Sequence, residues 1–506
     1  MLYQEVLSGI VNGVAGQLIH VEVEIRNGLP YFIMVGYLSK EAAEAKERVA
    51  SAMRSIGHPL PSMRITVNLS PANIRKKGTA FDFPIAVAFL ACLGFIPASE
   101  LKDICILGEL GLNGRIHGTR NCLPIVLEAK KQGIRRFFIA AEDQDSVDAI
   151  EGIEIILMNR LSDVLEYFQG RKPRMLQRKK SWEPVPEAED FYDMKGQEHL
   201  KRAIEIAVTG RHHLLLIGSP GSGKTMAIKR IPSILYPLTD RERFEVQSIY
   251  DASGVPRRIA DPRRPFREPH SSIPFTALLG GGRDPRAGEI TLAHRGILVL
   301  DELMEFRREC LEALRQPLEE KQIQISRLDR NYVFPADFQL IAAMNPCPCG
   351  FALEDGKCRC SLAQKQRYLR KLSGPLLDRF DMVLAAREEK EDLRGTRETS
   401  EVIRERIRDN VALEHQALAG TGYSFFGEIK RRDMEKIYKI AKEGMEFLQK
   451  AYDFKKMTKR GIDKILRLSM TIALMDGKDE ILLPHVAEAM TFRNTEFVWE
   501  GMGDGR

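Results

Sequence analysis

The stretch "HHLLLIGSPGSGKT" at residues 212–225 decides the fold. An apolar run enters a glycine-rich turn, and a helix-forming "MAIKRI" leaves it. The run suits a strand buried on both faces, and the turn that follows lets backbone N–H groups approach phosphate oxygens. The turn comprises Gly218, Ser219, Pro220, Gly221, Ser222, Gly223, Lys224 and Thr225. In such a turn Lys224 reaches the β- and γ-phosphates of ATP and Thr225 offers its hydroxyl to Mg2+. A chance glycine-rich turn would lack the strand before it and the helix after it.

Three further segments read outward from this one. "GILVLDEL" at 296–303 is a second buried strand, ending in Asp301 and Glu302. Asp301 is expected in the Mg2+ shell, and Glu302 is expected to orient or deprotonate the attacking water. "FQLIAAMN" at 338–345 is a third strand, and its terminal Asn345 is expected between γ-phosphate and water. Standing alone, Asn345 would read as a turn residue. In "SGPLLDRFD" at 373–381, Arg379 lies where its charge reaches a neighbouring subunit's γ-phosphate. An arginine supplied in trans is worth roughly 10³–10⁵ in rate, and it requires a ring. The order of the four segments predicts ATP hydrolysis.

Between Asn345 and Arg379 lies "CPCGFALEDGKCRC" at 347–360. Cys347, Cys349, Cys358 and Cys360 sit on a polar loop with no core of its own, and ordering such a loop costs entropy. Two close pairs that fold back on each other suit tetrahedral Zn2+, with free or redox-labile thiols as the alternative. Four thiolates leave no open coordination position, so the metal's role would be structural.

The chain has 506 residues, too many for one core. Hydrophobic content of 44% and charged content of 29% describe an ordinary globular protein, and the net charge of +6 does not by itself imply nucleic acid. "MLYQEVLSG" lacks a signal-peptide pattern, and the longest apolar segment, 83–97, is shorter than the ~20 residues that span a bilayer. A cytoplasmic protein with no membrane contact is expected. Cys92, Cys105, Cys122 and Cys310 read as buried thiols in a reducing compartment. Strands such as "LIHVEVEI" and helices such as "KEAAEAKERVASAMRSIG" make residues 1–170 an α/β domain. Residues 171–190 form a linker, basic and then acidic; 191–385 an α/β ATPase core carrying the cysteine loop; and 386–506 a helical C-terminal region.

Taken together, these residues resemble the magnesium-chelatase-like AAA+ ATPases, and within them the ComM/YifB family. The resemblance runs over nearly the whole chain, through "ITVNLSPANIRKKGTAFDFPIA", "LGELGLNGRI", "REPHSSIPFTALLGGGRDPRAGEITLAHRGILVLDEL", "AAMNPCPCG" and "SGPLLDRFD". It implies an N-terminal domain with the Lon-protease fold, a AAA+ core with pre-sensor inserts, and a helical lid. It also implies a hexameric ring that drives branch migration of DNA. By position, Gly218, Gly223, Lys224 and Thr225 match Walker A; Asp301 and Glu302 match Walker B; Asn345 matches sensor 1 and Arg379 the arginine finger. Arg460 in "MTKRG" falls at sensor 2. The lid helix departs from the family's Arg-Thr-Ile-Ala-Asp pattern, reading Met470, Thr471, Ile472, Ala473 and Leu474.

A Lon-type protease needs a serine activated by a lysine. The matching positions hold Ala80 and, near the expected lysine, Leu123, so a fold without protease chemistry is expected. For DNA, two inserts offer arginines: Arg283 and Arg286 in "LLGGGRDPRAGE", and Arg327 and Arg330 in an expected hairpin at 319–335. Such loops suit backbone contact with a single or branched strand, and read equally well as ordinary solvated loops. The reading is a AAA+ ATPase and DNA motor, with a protein-remodelling motor like the chelatase subunit, or an ATP-gated scaffold, as rivals.

Overall fold

The computed structural model describes residues 2–76, 78–119, 121–171, 174–175, 189–282, 285–327, 330–354, 356–386, 397–455 and 458–493. It divides into two compact units: residues 1–183 with 240–262, and residues 184–239 with 263–506.

The second unit is built on the apolar runs. Leu214–Gly218, Ile297–Leu300 and Gln339–Met344 are buried at every position, as strands covered on both faces must be. They join Phe266–Arg267 and Met382–Ala386 in one parallel sheet. Its order is 266–267, 297–300, 339–344, 214–218, 382–386. The core packs Leu214, Leu216, Val299, Ile341 and Leu384 against Leu200, Ile204, Ile228 and Ile231 from helices Glu198–Thr209 and Lys224–Ile234. All five strands run the same way, so the C-terminal ends of 214–218, 297–300 and 339–344 open on one edge. Ligands bind at that edge in open parallel sheets.

The C-terminal residues are helical, with Ser400–Ala417, Arg431–Ile437, Lys442–Lys455, Lys459–Met475 and Leu483–Thr491. The segment 431–452, helical throughout by its periodicity, is broken in the middle. Tyr438 is extended, Lys439–Ile440 pairs with Glu480–Ile481, and the Tyr438 hydroxyl donates to the Lys478 carbonyl. Pairing with a distant strand outweighs local helix propensity there. The apolar departures at Met470 and Leu474 face inward: residues 470–474 are all buried, where two charges would need partners.

The first unit carries an eight-stranded mixed sheet in the order 174–175, 154–158, 136–140, 104–107, 2–12, 15–26, 64–70, 31–35. The apolar segment 83–97 supplies helix Asp82–Cys92, buried at all eleven positions. Helix Asp240–Ser253, which lies in the core's part of the sequence, belongs to this unit, where Ile259 and Phe244 join the cluster around Cys122, Leu123 and Val126. Arg264 is internal. It is buried over the Tyr236 ring at 4.1 Å and donates to the carbonyls of Tyr236 and Arg295.

Candidate active site

The phosphate-binding turn starts where strand Leu214–Gly218 ends and closes as helix Lys224–Ile234 begins. Gly223 has φ +81°, which an L side chain adopts only with strain. Lys224 is buried, and its Nζ donates to the carbonyls of Gly218 (2.7 Å) and Ser219 (2.8 Å) and to Ser222 Oγ (3.3 Å). Burial lowers its pKa, and the carboxylate of Asp301 opposes that shift.

Thr225 Oγ1 donates to Asp301 Oδ2 at 2.9 Å, and the other oxygen of Asp301 accepts the Glu302 N–H at 2.8 Å. The two expected Mg2+ ligands are therefore in contact, though 76 residues apart. Glu302 is exposed and sits in the left-handed region at φ 51°, which costs roughly 1–2 kcal/mol for a non-glycine residue. Strain of this kind collects at sites the surrounding structure over-determines. Asn345 follows the strand whose Met344 pairs with Ile217, so the register sets it beside Gly218.

Arg379 and Arg460 stand apart from this cluster. Arg379 bonds Glu319 Oε1 at 2.5 Å and the Pro375 carbonyl at 3.1 Å, while its buried Nε has no partner. Arg460 is exposed in the first turn of helix Lys459–Met475, behind the cap that Thr458 Oγ1 makes to the Gly461 N–H. Sequence reasoning missed Glu268. This residue follows the short strand Phe266–Arg267, and its pKa is raised by burial and then by Asp301, against Lys229. Nothing in a two-residue strand marks it.

The four sulfurs of Cys347, Cys349, Cys358 and Cys360 lie within 4.8 Å of one another. Three separations are 3.4, 3.8 and 3.7 Å. Sulfurs tetrahedral about zinc at ~2.3 Å are about 3.8 Å apart, whereas a disulfide needs ~2.05 Å. The donor set and spacing fit zinc. Burial pushes the Cys347 thiol up, while backbone N–H groups of Phe351 and Arg359 bring Cys349 down. The loop rests on the phosphate-binding turn, where Gly350 abuts Pro220.

Of the arginines expected at DNA, Arg283 lies outside the described residues. Arg286 is exposed on a two-stranded ribbon, Gly280–Gly281 with Arg286–Ala287. The expected hairpin is present, Gln322–Arg327 with Arg330–Pro335, and Arg327 pairs with Arg330 at its end. In the first unit Ala80 stands two residues before helix Asp82–Cys92, and Leu123 is fully buried. No helix among the described residues is long and apolar enough to cross a membrane.

A five-stranded parallel sheet with lysine, threonine and aspartate converging at its edge defines an ATPase of the P-loop class. Residues 190–393 match the family described as magnesium chelatase, subunit ChlI. Residues 21–143 and 397–493 match the families for subunit ChlI of Mg-chelatase and for the ChlI C-terminal part. The competence protein ComM of Haemophilus influenzae is 37% identical over 495 residues, covering 95% of each chain. YifB of Escherichia coli is 37% identical over 490 residues, again covering 95% of each. Lon protease 2 of Bacillus subtilis is 26% identical over 181 residues, covering 31% of this chain. The chain belongs to the magnesium-chelatase-like AAA+ ATPases of the ComM/YifB family.

Proposed function

We propose that the chain assembles into a hexameric ring whose ATP hydrolysis moves DNA, by helicase action or branch migration, in recombination or natural transformation. The convergence of Lys224, Thr225 and Asp301 at one edge of the parallel sheet carries the ATPase part of this reading. The β- and γ-phosphate oxygens replace the three acceptors that Lys224 now holds. Thr225 Oγ1 and Asp301 are hard oxygen donors that suit Mg2+, which when bound supplies neutralisation of phosphate charge. Glu302 orients or deprotonates the attacking water, with Asn345 holding it against the γ-phosphate. Arg379 exchanges Glu319 for the γ-phosphate of the neighbouring subunit, and Arg460 on the helical lid meets the nucleotide of its own subunit.

The competence name of the Haemophilus relative supports DNA as the substrate, as does the exposed Arg286 on its two-stranded ribbon. Arg283, Arg327 and Arg330 would join it along a pore. Zn2+ on the four cysteines would be structural, tying the loop that leaves Asn345. The N-terminal unit keeps a Lon-like fold without its chemistry, since Ala80 and Leu123 stand where a serine and lysine would act. The free cysteines suit a cytoplasmic protein.

The test is steady-state ATP hydrolysis without DNA, with single-stranded DNA and with four-way junctions, at two salt concentrations, using Glu302→Gln as blank. Several-fold stimulation that falls with salt is expected. A protein-remodelling motor is the second reading, favoured by the three chelatase-subunit matches along the chain. Turnover indifferent to every DNA would overturn the DNA motor and leave the protein-remodelling motor or the ATP-gated scaffold.

A further inference from the structure

Helix Lys459–Met475 begins at the exposed Arg460 and, one turn on, carries Lys464. Residues four apart share a helix face, with a rise of about 6 Å between them. Lys464 is buried at 7% exposure, a position that lysine rarely occupies without a specific partner. Its Nζ donates to the carbonyl of Asp378 and, at 2.8 Å, to that of Phe380. These are the two carbonyls on either side of Arg379. A second cation, Arg493, donates to the carbonyls of Phe380 and Asp381 at 3.1 Å each. The carboxylate of Asp381 lies 3.6 Å from Lys464 and accepts the His213 N–H at 3.0 Å, at the foot of the strand that leads to the phosphate-binding turn.

The backbone around Arg379 is thus gripped from the C-terminal helical region rather than by the sheet alone. A lysine that merely satisfied Asp381 would not need to converge on two carbonyls flanking one residue. Only the guanidinium is left to vary, and it rests on the exposed Glu319.

We propose that Lys464 is a positioning residue for Arg379. Through it, helix Lys459–Met475 links the nucleotide its own subunit holds, met by Arg460, to the arginine offered to the next subunit. The proposal rests on Arg379 acting in trans, as the proposed function has it. Small shifts matter at such a group: misplacement by about 1 Å can cost 10²-fold.

Two variants test it. Lys464→Met keeps the length and removes the donor. Lys464→Arg keeps the charge beside Asp381 but cannot aim one nitrogen at both carbonyls, so it preserves the fold while moving the grip. For both, kcat for ATP is expected to fall by about 10–100-fold with KM nearly unchanged, the arginine variant being the milder. Mixed rings supply the readout that a structural role would not move. A Lys464 variant keeps its own hydrolytic site and has a misplaced arginine, whereas Glu302→Gln cannot hydrolyse but presents an intact Arg379. Adding Glu302→Gln subunits should therefore restore turnover to the Lys464 variants, as it should to Arg379→Ala. If Arg379→Ala is restored and the Lys464 variants are not, or if their kcat equals wild type, the proposal is wrong. Failure to restore Arg379→Ala overturns the trans reading itself, and the proposal with it.

Discussion

Replacing Gly350 by alanine tests the contact between the cysteine loop and the phosphate-binding turn. Gly350 has φ +87°, where a Cβ costs roughly 1–2 kcal/mol by itself. That Cβ would lie 2.6 Å from Pro220 Cδ and 2.9 Å from Cγ, well inside the ~3.5–4.0 Å of ordinary carbon contact. Both atoms belong to a stiff ring, so relief comes only by parting the loop from the turn. Overpacking of this kind costs about 1–3 kcal/mol, and nucleotide must recover the turn to bind. At tenfold per 1.4 kcal/mol, affinity should fall about 10–100-fold. Gly356 in the same loop supplies the control. It has φ +74° with nothing within 4 Å of its Cβ, so alanine there carries the backbone penalty without the collision. Titration of a fluorescent ATP analogue onto the Glu302→Gln background should find Gly350→Ala weak and Gly356→Ala within about twofold of the parent. Equal affinities for the two would refute the coupling.

Metal analysis of protein purified without chelator should give about one zinc per chain. Cys349→Ser should lose the metal, and with it up to about 3 kcal/mol of loop stabilisation, the magnitude for cross-linking a loop of roughly this length. A chain free of zinc at full ATPase activity would return the thiols to their free state. Asp143 makes stability pH-dependent. Burial pushes its carboxyl up to about 7, against hydrogen bonds from Thr119, with Glu142 and Asp251 adding to the rise. Between about pH 4 and 7 the folded chain holds a proton that the unfolded chain has released, so stability falls as pH rises through that window and is flat above it. Asp143→Asn should match wild type near pH 4 and melt a few degrees higher at pH 8. A constant difference between the two across that range would contradict the assignment.

Much of the ATP site is legible in the sequence because its residues sit at the ends of strands whose apolar runs are unmistakable. Gly218, Asp301 and Asn345 each close such a run. Burial of these strands on both faces follows from the runs, whereas their order in the sheet does not. What stays hidden depends on contacts far apart in the chain. Glu268 follows a strand of two residues, too short to show a period. Tyr438 breaks a periodic helix because its neighbours pair with residues 480–481. Lys464 reads as a solvated charge on an amphipathic helix until Asp378 and Phe380 are seen to receive it. Arg264 is held inside by a ring partner, Tyr236, 28 residues earlier, a pairing no local pattern announces. The cysteine cluster lies between these cases: spacing suggests the ligand set, but only the folded loop shows that it rests on Pro220.

The helix at 240–253 has a consequence for how the chain is made. Its unit draws on residues 1–183 and again on 240–262, so the cover on the apolar face of helix Cys122–Lys131 is completed only after residue 262 has been synthesised. At the ~5–20 residues per second of translation, that is a delay of roughly 4–16 s after residue 183. During it, the phosphate-binding turn has emerged while the first unit still lacks its last helix. The two units are therefore finished in interleaved order. A fragment ending at 183 would leave Cys122, Leu123 and Val126 without the cover that Ile259 and Phe244 provide.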